Sequence, residues 1–160
     1  MVSSTTKKTV IRRFQKEPLA GYVNPASYLQ PAGVDLLSAQ GNVSTIPYEE
    51  IKTISFVRDF EAAGEAGRQV FHTRPKMEGL WVSLQFRDGD AMEGIMPNNL
   101  LQLDPYGFTV IPPDPSSNHQ RIFVPRTAVR TVEVLGVVGS PLKKRKAKPV
   151  PREQIGLFDE

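Results

Sequence analysis

The strongest constraint on this chain is that it states one pattern twice. An alternating segment ending in phenylalanine, Val10-Ile-Arg-Arg-Phe14, recurs as Val82-Ser-Leu-Gln-Phe86. A polar turn follows each, Gln15-Lys-Glu-Pro18 and Arg87-Asp-Gly-Asp90. Leu19-Ala-Gly21-Tyr-Val then answers to Met92-Glu-Gly94-Ile-Met, and Gly33-Val-Asp-Leu-Leu37 to Gly107-Phe-Thr-Val-Ile111. Each pattern closes on an apolar–proline pair and one more apolar segment: Ile46-Pro47 with Ile51-Lys-Thr-Ile54, and Val124-Pro125 with Val129-Arg-Thr-Val132. The offset grows smoothly, from 72 (Phe14 to Phe86) through 73 (Gly21 to Gly94) and 74 (Gly33 to Gly107) to 78 (Pro47 to Pro125). Insertions therefore fall in connections, where a fold tolerates them. Ordered similarity of this kind is the mark of a duplicated unit.

Each copy reads as about five short segments of period two, bounded by Gly, Pro, Asn and Asp, which is a strand pattern. Asp88-Gly89 is a hairpin signal, because the tight hairpin turns need positive φ. Asp104-Pro-Tyr-Gly107 predicts a second turn, and Pro112–Gln120 a long loop. The 14 prolines and 12 glycines argue against a helical bundle. Five short strands in some 50 residues bury a face only by curling, so each copy is predicted to be a small barrel. The expected fold is all-β: a first barrel at 1–57, a connecting hairpin or loop at 58–79, a second barrel at 80–138 and a tail at 139–160. A sheet shared through a hairpin at 55–75 is an option, and a short helix at 59–66 is weakened by two glycines. Phe56, Phe60, Val70 and Phe71 are apolar enough to want burial. Trp81, Phe86, Phe108, Phe123, Phe14 and Phe56 are read as barrel core rather than as stacking platforms.

The order of strand, Asp-Gly turn, strand carrying Gly94, bent strand, and Arg121-Ile-Phe-Val-Pro-Arg-Thr-Ala-Val-Arg-Thr-Val132 resembles the Sm-like/Hfq-like small barrels. SH3-like barrels share the outline. The whole chain also looks like an uncharacterised bacterial family with a duplicated barrel and a basic tail. The resemblance implies RNA contacts near Pro125, Arg126 and Thr127, and near Pro47, Tyr48 and Glu49 in the first copy. Leu100 and Ser27 stand where Hfq-like proteins carry an aspartate.

Charge separates body from tail. Of 20 basic and 17 acidic residues, six and three respectively fall in 141–160, leaving 14 of each in the rest. The body is neutral and offers no general basic footprint for nucleic acid. The tail, with Lys143, Lys144, Arg145, Lys146 and Lys148 among prolines, is expected to be disordered and to graze a nucleic-acid backbone. Apolar character then returns in Gln154-Ile-Gly-Leu-Phe158. This pentapeptide resembles the Gln-Leu-x-Leu-Phe motif by which bacterial proteins dock on the DNA sliding clamp. In that resemblance Gln154 sets register, Ile155 fills a side pocket, and Leu157 and Phe158 are paired anchors. Burying those two side chains supplies about 3–6 kcal/mol before ordering costs. The alternative is that the same residues fold back on the chain's own barrel or on a second copy.

Other constellations carry less. Asp88, Asp90 and Glu93 are acidic neighbours but read as a solvated hairpin turn. His72, on an expected strand, and His119, in an expected loop, lack ligand spacing. Arg126 and Arg130, in the Arg-x-x-x-Arg form of cyclic-dinucleotide-binding PilZ domains, have no downstream partner motif and would share one face of a strand. Cysteine is absent, which removes disulfides, thiolate metal sites and a thiol nucleophile. No catalytic residue, cofactor or metal is expected, no segment reads as membrane-spanning, and a cytoplasmic location is expected. The sequence thus points to a non-enzymatic binding module brought to the sliding clamp by its tail. An RNA-binding Sm-like homo-oligomer, or a scaffold for an unidentified protein, are the alternatives.

Overall fold

The computed structural model describes residues 5–60, 70–113 and 119–139. Within them the chain is built of eleven strands and three single 3-10 turns: β1 (Lys7–Arg13), β2 (Lys16–Val23), β3 (Leu29–Gln30), β4 (Gly33–Leu37), β5 (Val43–Ile46), a first turn (Tyr48–Glu50), β6 (Ile51–Val57), β7 (Gly79–Phe86), β8 (Ala91–Met96), a second turn (Leu100–Gln102), β9 (Gly107–Val110), β10 (His119–Pro125), a third turn (Arg126–Ala128) and β11 (Val129–Val138). The all-β expectation holds for the described residues. Eight strands form a curled sheet ordered β3-β4-β2-β1-β6-β10-β9, with β5 on β4, and β11-β7-β8 form a second sheet. A bridge between Ile95 and Ile111, with N–H···O distances of 3.0 and 2.9 Å, stitches β8 to the end of β9 and links the two.

The pairings of residues 7–57 recur in 79–138. β1 pairs β2 as β7 pairs β8. Tyr22 lies opposite Leu37 as Ile95 lies opposite Ile111. β4 pairs β5 through Val34 and Ile46 as β9 pairs β10 through Phe108 and Val124. β6 returns to β1 as β11 returns to β7, each with a register shift near its start. Pro47 (φ −62°) and Pro125 (φ −61°) precede the first and third turns in the same extended conformation, and Ile51 and Val129 close them through N–H bonds to Tyr48 and Arg126.

Glycines explain why matched positions stay small. A Cβ at Gly21 would come 2.7 Å from the Leu37 carbonyl oxygen, and one at Gly94 2.9 Å from the Val110 Cβ. A Cβ at Gly33 would collide with the Ile46 carbonyl, and one at Gly107 with the Val124 carbonyl. Any larger residue would push β4 from β5, or β9 from β10.

The two ranges do not pack as separate beads. β10 pairs directly with β6, through Arg121 opposite Phe56, Ile122 opposite Ser55 and Phe123 opposite Ile54. Phe123 accordingly belongs to the core of the first range, with Ile11, Val23, Tyr28, Ile54 and Phe56. A second core gathers Val82, Leu84, Phe86, Met92, Val110 and Val124, with Phe14 from the first range against it. Continuity between the two ranges comes from β6 and β10; the expected hairpin at 55–75 lies in good part, at 61–69, outside the described residues. No strand lies in the described residues between Val57 and Gly79, where Val70 is exposed and Phe60 and Phe71 are partly covered. A helix at 59–66 falls mainly outside the described residues.

Phe56, Phe86 and Phe123 are core as expected, whereas Phe14, Phe108 and Trp81 are only partly buried. The Trp81 indole is partly buried, and its Nε1–H donates to Glu93 at 3.0 Å. Every buried side-chain nitrogen and oxygen among the described residues has a hydrogen-bond partner, as a settled core requires. No helix among them is long and apolar enough to cross a membrane.

Candidate functional site

The recurrence of the apolar–proline pair brings the first and third turns side by side. Thr127 donates its hydroxyl to the Tyr48 carbonyl at 3.2 Å, and the Arg126 N–H donates to the Tyr106 carbonyl at 2.8 Å. The Tyr48 and Tyr106 rings stack at 5.1 Å with an interplanar angle of 14°. The Tyr48 hydroxyl donates to the Gln30 carbonyl at 2.6 Å. Arg87 staples the junction: its guanidinium donates to the Glu49 carbonyl at 2.7 Å and the Thr127 carbonyl at 3.1 Å, and lies 3.9 Å from the Phe14 ring centre. Arg130 donates to the Arg87 carbonyl at 3.1 Å. Arg126 remains exposed above the Phe108 ring, 5.4 Å from its centre. Arg126 sits in the 3-10 turn Arg126–Ala128 and Arg130 in β11, so they do not share the face of one strand.

Beside this junction opens a cleft of about 340 Å³, lined by Tyr28, Leu29, Asp104, Tyr106, Thr109 and Arg121 with Pro25, Ala26 and Pro105. Strand pairing positions its groups. Arg121 leaves β10 opposite Phe56 and sits 5.0 Å from that ring's centre. Asp104 begins the Asp-Pro-Tyr-Gly turn, closed by its bridge to Gly107, and accepts the Thr109 hydroxyl at 2.7 Å. Tyr28 meets Phe56 and Phe123 edge-on at 5.6 and 6.1 Å. Burial raises the Tyr28 phenol well above its ordinary value, and Asp104 adds to this while Arg121 opposes it. Tyr48 is pushed up to about 12, by burial first and then by Tyr106 and Asp35. Both phenols are therefore neutral hydroxyls near pH 7. The cleft offers a guanidinium, a carboxylate and aromatic surface. Its lining has no histidine, cysteine or lysine. These features suit holding a flat, polar group.

At Asp88–Asp90 the acidic hairpin is the exposed turn expected, with ion pairs added. Gly89, at φ 100°, makes the turn as Asp-Gly predicts. Asp88 and Asp90 both pair with Lys52 from β6; the Asp88 link is 2.8 Å. Glu93 is not in the turn. It lies in β8, where its carboxylate accepts the Trp81 indole and, at 3.1 Å, the Phe71 N–H. His72 is exposed outside any strand, while His119 begins β10 rather than ending a loop, since it pairs with Val57. Among the described residues no group of three His, Cys, Asp or Glu could hold a metal.

The tail residues Gln154, Ile155, Leu157 and Phe158, and Lys143, Lys144, Arg145, Lys146 and Lys148, lie outside the described residues. Sequence reasoning missed Lys52, Arg87, Tyr106, Asp104 and Arg121. The Asp-Pro-Tyr-Gly turn was visible, but nothing in one dimension sets it against Tyr28 or Tyr48. No curated protein and no solved structure gives a significant match to the chain. The profile of one family, described as of unknown function and designated DUF6982, spans residues 5–136, and the chain belongs to that family.

Proposed function

We propose that this chain is a non-enzymatic binding module made of two Sm-like or SH3-like small barrels in tandem, related by duplication, and that its tail recruits it to the DNA sliding clamp. The duplication is supported by the matched pairings, the matched proline-led turns and the glycines that face the same carbonyls in each half. The recruitment is carried by one observation, the Gln154-Ile-Gly-Leu-Phe158 sequence, which follows β11 and the other described residues. Its apolar pair fits the pocket-filling anchors of short peptide motifs. The basic residues Lys143–Lys148 add a salt-dependent contact to DNA backbone. A peptide of residues 150–160 is expected to bind the clamp, and Leu157→Ala with Phe158→Ala to weaken it more than about tenfold, since two large apolar anchors are lost. Isothermal titration with both peptides decides; equal affinities end this reading.

A second reading, an RNA-binding Sm-like assembly, is favoured by the junction. Arg126 and Thr127, where the resemblance places RNA contacts, stand beside the stacked Tyr48 and Tyr106. Aromatic stacking and guanidinium contact are how unpaired bases are held. Fluorescence anisotropy with U-rich and A-rich RNA tests it. Binding that falls on Tyr106→Ala and Arg126→Ala supports this reading, and indifference of the intact chain to both RNAs removes it.

A further inference from the structure

Among the described residues two strand edges at opposite ends of the recurring pattern have no strand partner, although Arg74 donates to the Val137 carbonyl of one at 2.8 Å. β6 is flanked by β1 and β10, but its counterpart β11 is paired only with β7. β10 is flanked by β9 and β6, but its counterpart β5 is paired only with β4. The exposures follow. Ile54, Phe56 and Val57 on β6 are 0, 5 and 5% exposed, whereas Val134 and Leu135, at the positions of Phe56 and Val57, are 56 and 41% exposed. On β5 Val43 is 65% exposed. A ten-residue edge carrying Val134, Leu135 and Val137 to solvent is a surface that natural sheets cover or guard with charge.

We propose that the cover is a second copy of this chain: β11 of one molecule pairs antiparallel with β5 of the next, repeating between molecules the β6–β10 pairing made within each. The internal register fixes the external one. Ile122 opposite Ser55 and Phe123 opposite Ile54 transpose, by the offset of 78 that relates Pro47 to Pro125, to Ser44 opposite Glu133 and Thr45 opposite Val132. Arg121 opposite Phe56 transposes to Val43 opposite Val134, which places the two exposed valines against each other. The contact is head-to-tail, because each molecule gives a different strand at each end. It therefore leads to a ring where successive rotations close. It rests on the equivalence of the two halves proposed above and on nothing about a ligand, so clamp or RNA binding can fail without touching it.

The test uses the full chain and two edge variants, Val43→Lys and Val134→Lys. Neither residue packs in a core, and circular dichroism is the check that each variant keeps the fold. In sedimentation velocity the wild type is expected to exceed a monomer at micromolar concentration. Each variant alone is expected to need at least about tenfold more protein to associate, as a buried unpaired lysine on a strand edge opposes pairing. An equal mixture of the two is expected to give a 1:1 heterodimer that grows no further, since one retains its β11 edge and the other its β5 edge. The chain has no cysteine, which allows a second measurement. Ser44→Cys mixed with Glu133→Cys should form one disulfide-linked dimer, because opposed residues on paired strands lie within bridging range. A wild type that stays monomeric throughout overturns the proposal. So does association that both lysine variants leave intact, or a cysteine pair that does not cross-link.

Discussion

Lys52 is the single side chain that ties most distant chemistry together. It leaves β6, reaches the hairpin 36 residues on to pair with Asp88 and Asp90, and lies 5.1 Å from the centre of the Phe86 ring. Burial alone would make its ammonium more acidic, but the hydrogen bonds to the two carboxylates outweigh this and its pKa rises. Asp88 is correspondingly held below the ordinary carboxylate value, chiefly by the hydrogen bond from Lys52. A carboxyl lowered on folding contributes stability above its unfolded pKa, and that contribution fades as pH drops through the folded one. Lys52→Met is therefore expected to cost about 0.5–1 kcal/mol at pH 7, the modest figure reflecting how far both aspartates face water. The gap to wild type should narrow as pH falls through the lowered pKa of Asp88. Urea melts of both proteins at pH 7 and at pH 2.5 check this; a gap as wide in acid as at pH 7 would assign the effect to the lysine's aliphatic packing instead.

Between strands, close approach rather than side-chain chemistry decides what is allowed. Gly33→Ala would bring a methyl into the Ile46 carbonyl while also straining φ 152°, and Gly107→Ala would do so at the Val124 carbonyl. Each is expected to cost about 2–4 kcal/mol, overpacking and displaced pairing together. Gly89→Ala, at φ 100° with open space around it, should cost only about 1 kcal/mol of backbone strain. Thermal midpoints of the three variants rank these effects, and an equal loss at all three would deny the close approach.

The elements were legible where their information is local. Asp88-Gly89, the proline-led turns and the Gly33 and Gly107 strand starts could all be read, because turn chemistry and period-two alternation act within a few residues. The second-half connection to β6 could not be read. β6 and β11 carry similar alternating segments, and only three-dimensional closure gives one of them two neighbours and the other one. The cleft was illegible for the same reason. Tyr28, Asp104 and Arg121 come from three loops and strands with no fixed spacing, and Trp81 looked like core until Glu93 gave its indole a hydrogen-bond partner.

At the scale of the molecule, β6 pairs with β10 and side chains cross between the two cores, so the two ranges are expected to unfold together. Phe123 lies on β10 but fills the core with Tyr28 and Phe56, while the sole tryptophan, Trp81, reports from the second sheet. Phe123→Ala should cost about 3–5 kcal/mol, the range for truncating a fully buried phenylalanine. Fluorescence of Trp81 and far-ultraviolet circular dichroism are expected to give coincident urea midpoints within each protein, lower in the variant than in wild type, as one cooperative unit requires. Two separated midpoints would mean that the halves stand independently.

The β6–β10 pairing also sets an order of events during synthesis. When the ribosome has released residues 1–57, β6 has β1 on one side and nothing on the other, and the space for the Phe123 ring stands vacant. Some 60 more residues must emerge before His119–Pro125 can fill it. The nascent first half thus waits, with a sticky strand uncovered, for a segment made late. That is the situation in which long-range pairing slows folding and chaperones have time to act.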